Sequence, residues 1–125
     1  MLEVTLPWPP SINHYWRNFR GRTVISSDGR QYRLDVSYRI LEQGIPRDNL
    51  NCRLQVTIDA YPPDKRRRDL DNIQKALLDA LVHADVIEDD SLIDALSITR
   101  HDACEDGKVI VRIRSYAKEM RDLRD

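Results

Sequence analysis

The sequence predicts a single mixed α/β (α+β) domain: one mixed β-sheet with two main helices packed on it. Three observations lead there. Apolar residues alternate cleanly over 50–61, the pattern of a strand buried on one face. Two segments, from Tyr32 to Leu41 and from Leu70 to Ala84, instead repeat their apolar residues at helical spacing. The chain of 125 residues has room for one ordinary domain, assigned here to 1–125.

The elements follow in order. Residues 2–6 alternate apolar and polar, a short strand that Pro7, Pro9 and Pro10 end by forcing an extended loop. Residues 11–18 continue that loop. A second short strand is expected over 22–26, turned by Ser27-Asp28-Gly29. Tyr32, Val36, Ile40 and Leu41 then mark a helix of about four turns, stopped by Gly44 and Pro46. The strand over 50–61 puts Leu50, Cys52, Leu54, Val56, Ile58 and Ala60 on one face and closes on Pro62-Pro63. Leu70, Ile73, Leu77, Leu81 and Ala84 form the second helical stripe. Two last strands are read over 95–101 and 108–116 around Asp106-Gly107, with a polar tail at 118–125 read as a short helix.

Composition narrows the function. With 41% hydrophobic and 33% charged residues, the chain can bury a core and stay well solvated. No apolar run reaches the length of a membrane span, and the proline-broken start lacks a basic n-region, so no membrane partner and a cytoplasmic location are expected. Cys52 and Cys104 read as reduced thiols. With His14, His83 and His101 they give no zinc spacing. The isolated glycines form no phosphate-binding motif, which argues against a nucleotide cofactor. The net charge of −1 hides an asymmetry. Residues 14–33 hold Arg17, Arg20, Arg22, Arg30 and Arg33 against Asp28 alone, whereas 79–106 hold nine acids against Arg100. One surface suits a polyanion and another a cation or a partner.

The densest chemistry lies where the strong strand ends and the second helix begins. Lys65, Arg66, Arg67 and Arg68 run directly into Asp69-Leu70-Asp71-Asn72, with Lys75 one helical turn beyond Asp71. On a helix Asp69 and Asp71 would point about 200° apart. In an extended chain they would converge, with Leu70 turned to the core. Two carboxylates about 4 Å apart repel by roughly 4 kcal/mol at an effective dielectric of 20. A hard cation such as Mg²⁺ relieves that repulsion and takes carboxylate, water and phosphate oxygens. A third acid is expected from Glu88-Asp89-Asp90 or Asp94. Each feature has a plainer explanation alone: an aspartate before a helix caps it, an i,i+4 Asp–Lys pair is a surface salt bridge, and a basic run is a solvated loop. Together these explain less, because none requires four bases, two acids and a lysine in this order.

Arg66-Arg67-Arg68-Asp69-Leu70-Asp71-Asn72, followed by Lys75-Ala76 and Asp79-Ala80-Leu81, resembles the RusA family of Holliday junction resolvases. Leu6-Pro7-Trp8-Pro9-Pro10-Ser11 with Asn13 is similar to that family's opening motif. Arg20-Gly21-Arg22-Thr23, Ser26, Gly29 and Tyr32-Arg33 extend the likeness, which spans about 4–115. The resemblance implies a small homodimeric endonuclease, bacterial or phage-encoded. It would bind four-way DNA junctions and nick two opposing strands with Mg²⁺, for which Mn²⁺ would substitute. It also implies roles: Asp69, Asp71 and Asp90 as metal ligands and, with Lys75, the catalytic set, and Asn72 and Asp89 beside them. Asp89 stays open as an alternative to Asp90.

Hydrolysis by such a site needs no histidine or cysteine nucleophile; metal ions activate the water and neutralise charge, and Lys75 would stabilise the phosphate. DNA binding is assigned to Arg17, Arg20, Arg22, Lys65, Arg66, Arg67 and Arg68. Tyr15, Trp16 and Phe19, interleaved with arginines, are either base-stacking groups or a hydrophobic anchor for their loop. A two-fold junction needs two related nicks, which a C₂ homodimer supplies. The rivals are a non-catalytic branched-DNA-binding module and a nuclease of broader branched-DNA specificity.

Overall fold

The computed structural model describes residues 1–116; the tail assigned to 118–125 lies outside the described residues. A four-stranded mixed sheet has the order β1 (Leu2–Leu6), β6 (Lys108–Ser115), β4 (Leu54–Tyr61), β5 (Ile93–Arg100). Within this sheet β4 and β5 run parallel, joined by helix α3 (Asp71–His83) as a βαβ crossover. β6 runs antiparallel to both β4 and β1. The alternation read from the sequence holds through β4, where Leu54, Val56, Ile58 and Ala60 are all buried. Val109, Val111 and Ile113 of β6 and Val4 and Leu6 of β1 join them. Helices α2 (Ser27–Glu42) and α3 cover this apolar face with Tyr32, Val36, Ile40, Ile73, Leu77 and Leu81. The opposite face is polar, crossed by the pairs His101–Asp59, Arg112–Asp59 and Arg112–Glu3.

The structure corrects several boundaries. Ser27-Asp28-Gly29 is not a turn but the first turn of α2. Ser26 is its N-cap, its hydroxyl accepting from the Gly29 amide at 2.9 Å, so a turn-like triplet serves as a helix start. The loop read over 11–18 contains a short helix, α1 (Ile12–Tyr15), and a strand, β2 (Trp16–Phe19). β2 pairs with β3 (Arg22–Ile25) in a hairpin separate from the main sheet. Arg20 and Gly21 close it with φ of 51° and 77°, the left-handed backbone of a two-residue hairpin turn. β4 starts at Leu54 rather than 50; Leu50 makes only an isolated parallel bridge to Ile87. β5 starts at Ile93, directly after a 3-10 turn at Asp90–Leu92.

Both helices stop by the same hydrogen-bond pattern. In α2 the amides of Gly44 and Ile45 donate to Leu41 O and Ile40 O at 3.1 and 3.0 Å. In α3 Asp85 takes the glycine's place at φ 64°, with Asp85 and Val86 donating to Val82 O and Leu81 O at 3.0 and 3.1 Å. Arg47 Nε adds a bond to Ala84 O at 3.0 Å. At the other sheet edge, the Gln43 side-chain amide bridges Thr5 N and Thr5 O at 2.9 and 2.7 Å, satisfying strand groups that β1 cannot pair.

Candidate active site

The segment between β4 and α3 folds around Asp64. Its carboxylate accepts from the Arg66 amide at 2.9 Å and from Arg68 Nη1 at 2.7 Å. The Arg68 hydrogen bond, then that from the Arg66 amide, pull the Asp64 carboxyl down to about 2. Arg68 also lies 5.9 Å from the Trp8 ring centroid, and Arg100 donates to Arg68 O. Arg68 therefore braces the loop, and its charge is shared with Asp64. Arg66 Nε lies 3.5 Å from the same carboxylate, yet its side chain is 83% exposed. Lys65 and Arg67 are exposed with no partner among the described residues. Two clefts of about 660 and 590 Å³ flank this loop and share Trp8, Arg66, Arg67, Arg68, Asp69 and Ile73.

The backbone is not extended between the two acids. Leu70 is helical (φ −63°, ψ −33°), and Asp69 O accepts from the Asn72 amide at 3.2 Å. The chain is already helical at Leu70, where the apolar stripe begins, so the extended backbone expected between the acids is absent. Asp69 and Asp71 thus flank the first helical turn instead of sharing a strand face. Neither plain explanation of these acids is realised. Among the described residues no side chain caps the start of α3, and Asp71 forms no ion pair with Lys75. Asp69, Asp71 and Lys75 are exposed and have no side-chain hydrogen bond or ion pair among the described residues.

The acids after α3 differ among themselves. Asp89 caps the 3-10 turn, Oδ2 accepting from the Ser91 amide at 3.0 Å, and the Ser91 hydrogen bonds lower its pKa. Asp94 is held by Arg53, whose Nε donates to it at 3.0 Å. Asp90 is exposed without a side-chain partner among the described residues. It stands at the start of β5, beside the beginning of β4, where Leu54 is in register with Ile93. Asp69 and Asp71 stand at the far end of the same βαβ unit, with the 13-residue α3, about 20 Å long, between. Among the described residues no three His, Cys, Asp or Glu side chains form a group that could hold a metal ion.

A second cluster escaped the sequence pattern. The hydroxyl of fully buried Tyr15 donates to Asp79 Oδ2, and Arg33 reaches the same oxygen through Nε at 3.0 Å and Nη2 at 2.9 Å. Burial, then the hydrogen bond to Asp79, raises the Tyr15 pKa far above its ordinary value, so the phenol stays protonated. The network ties α1 and α2 to α3, the helix that carries Asp71 and Lys75. It also removes Arg33 from the free basic cluster. Arg17, Arg20 and Arg22 lie on the β2–β3 hairpin, all exposed, with no acidic partner among the described residues. Asn72 lines the smaller cleft beside Asp69.

Unpaired carboxylates at a helix start, set among exposed cations on a small α+β scaffold, suit the chemistry of phosphodiesters and hard cations, and similarity to known proteins puts the chain in a matching class, the nucleases. The sequence model of the family described as endodeoxyribonuclease RusA matches residues 7–114, and the chain belongs to that family. It is 39% identical over 117 residues to the crossover junction endodeoxyribonuclease RusA of Shigella sonnei, covering 94% of this chain and 97% of the relative. It is 38% identical over the same length to that of Escherichia coli K12 and 39% to that of Enterobacteria phage 82, with the same coverage. Relatives thus come from bacteria and from a phage. No described helix is long and apolar enough to cross a membrane.

Proposed function

We propose that the chain resolves four-way (Holliday) DNA junctions as a homodimer, by paired metal-dependent nicks in opposing strands. Mg²⁺ is the cofactor and Mn²⁺ its substitute. The setting is recombination and repair, or phage DNA processing, in the bacterial cytoplasm. The observation that carries the reading is the set of partnerless groups at the start of α3. Asp69, Asp71 and Lys75 neither cap nor pair among the described residues, and the two carboxylates, as like charges, repel.

The donor chemistry fits a hard divalent cation, since aspartate oxygens with water and phosphate are its usual shell. Asp69 and Asp71 would hold it from one chain. Asp90 is the free acid beyond α3, because Asp89 serves as a cap and Asp94 pairs with Arg53. With the length of α3 between them, Asp90 and Asp71 of one chain cannot share an ion. A second copy, related by a two-fold axis, can bring its Asp90 to the first copy's Asp69 and Asp71. Dimerisation then completes the metal site as well as supplying the second nick.

A cation held by these aspartates would supply charge neutralisation and a more acidic water. The chain's own residues do the rest. Lys65 and Arg67 hold phosphates beside the acids, on the loop that Asp64 and Arg68 brace. Lys75 offers its ammonium to the phosphate that gains charge. Asn72 lines the cleft beside Asp69, its backbone amide donating to Asp69 O. A mixing experiment tests this. Asp71→Asn and Asp90→Asn, each inactive alone on a labelled junction in Mg²⁺, should regain nicking at one site per dimer when mixed. Mixtures that stay inactive after subunit exchange would place all the acids of a site in one chain. Junction binding without cleavage by the unaltered protein would leave only a binding module.

A further inference from the structure

The structure separates the three aromatic residues that the sequence groups together. Tyr15 is fully buried and spends its hydroxyl on Asp79. Trp16 packs edge-on against Tyr15, with ring centroids 4.9 Å apart. Phe19, at the end of β2, is 48% exposed. One exposed apolar side chain is ordinary on a protein surface; what distinguishes Phe19 is the charge around it.

Its surroundings specify the cover. The Arg17 and Arg20 guanidiniums each lie 5.2 Å from the Phe19 ring centroid. Arg22 is directly opposite Phe19 in the hairpin register. Residues 16–25 contain three arginines and no acid. The three arginines have no acidic partner among the described residues. An apolar protein partner would gain the ring but bury three unpaired cations; a lipid surface would need a longer apolar face. Stacked bases between phosphates match both the ring and the charges.

The hairpin is also in the right place. It follows immediately after α1, and Ser11 and His14 line the same cleft as Asp69 and Asn72. Five residues of chain at about 3.3 Å each keep Phe19 within roughly 17 Å of that cleft. The positive-φ turn at Arg20-Gly21 matches the twist of two-stranded ribbons and sets Phe19 directly before it.

We propose that Phe19 is a wedge that stacks into the open centre of a branched DNA, with Arg17, Arg20 and Arg22 on the flanking phosphates. The proposal rests on the branched-DNA reading above and adds the element that separates a branch point from a linear duplex. In a duplex every base is already stacked and must be parted to admit the ring. At a branch point the stack is already interrupted, so the ring enters at less cost.

The test uses four-way junctions carrying 2-aminopurine at the branch point, in EDTA, with saturating protein. The unaltered protein should raise the fluorescence as it unstacks the base. Phe19→Ala should remove the rise and weaken junction binding by about 5- to 150-fold, the loss of one base–aromatic stack. Its affinity for linear duplex should change less than about twofold, and Phe19→Trp should restore the junction values. An undiminished rise in Phe19→Ala, or equal losses on junction and duplex, overturns the wedge. If the unaltered protein binds junctions in EDTA without any fluorescence change, yet nicks them in Mg²⁺, the wedge alone is wrong. If it does not bind junctions, the wedge falls together with the reading beneath it.

Discussion

Removing the Asp79 carboxylate should loosen the joint between the helices more than any other single change at the surface of α3. In Asp79→Ala the buried Tyr15 hydroxyl loses its acceptor, and the Arg33 guanidinium is left without its counter-charge. The side chains of the pair are 23% and 27% exposed, so it is neither a surface pair nor a fully buried one. Exposed pairs are worth about 0–1 kcal/mol, and breaking buried ones costs about 3–5 kcal/mol. The ion pair, as the intermediate case, accounts for about 2 kcal/mol, and the stranded Tyr15 hydroxyl adds about 1 kcal/mol, for a total cost of about 3 kcal/mol. For a domain of this size that is a fall of about 10 °C in Tm. Denaturant unfolding reads it as a lower midpoint with an unchanged slope. Tyr15→Phe removes only the hydroxyl and should cost about 1 kcal/mol. A double-mutant cycle of Tyr15→Phe with Asp79→Asn should show a coupling of about 1–2 kcal/mol. A loss below about 1 kcal/mol in Asp79→Ala, with additive single mutants, would refute the claim that this network joins α1 and α2 to α3.

Gly29→Ala should destabilise by about 1–3 kcal/mol despite alanine's better helix propensity. The added Cβ would stand 2.5 Å from Tyr15 O and 2.7 Å from Ile25 Cγ1, which thermal unfolding would register. Ser26→Ala should cost about 0.5–2 kcal/mol through removal of the N-cap of α2, read the same way. Acid stability has a defined window. Asp59, through its hydrogen bond from His101 and then that from Arg112, and Asp64, at about 2, both have lowered folded-state values. Their stabilisation is complete above the ordinary carboxylate value of about 3.9 and is lost as pH falls through the folded values. Tm should stay level from pH 5 to about 4.5 and then decline, more gently in Asp64→Asn; a decline already complete at pH 4 would contradict the assignment. In binding titrations, Arg67→Ala should lower the salt slope by about 0.9, the share of one neutralised phosphate, whereas an unchanged slope would remove Arg67 from the interface.

Where local pattern and final environment agree, the sequence was readable. The alternation in β4 and the stripes of α2 and α3 survive because each element buries one face against the same core. The β2–β3 hairpin was only half visible. Its strands are short and mostly exposed, and its turn is Arg20-Gly21 rather than an asparagine–glycine pair. Ser27-Asp28-Gly29 misled because the same small polar residues favour turns and helix starts; Ser26 decides by reaching the Gly29 amide. At the site, the basic run and its acids were legible because their order is unusual. The role of Asp64 as organiser was not read from the sequence; its i,i+4 spacing to Arg68 is the local signal it leaves. The Tyr15–Arg33–Asp79 network joins residues 64 and 46 positions apart, which no local pattern encodes. The distance between Asp90 and Asp71 depends on the direction of α3, visible once β4 and β5 are seen to run parallel.

The most direct test of the whole account is a nicking assay on an end-labelled four-way junction beside linear duplex and a flap, in Mg²⁺ or EDTA. Paired nicks on opposing junction strands, absent in EDTA, absent on duplex and lost in Asp71→Asn with junction binding retained, are the predicted result. Cleavage that persists in Asp71→Asn, or tight junction binding with no cleavage in Mg²⁺ or Mn²⁺, would contradict it.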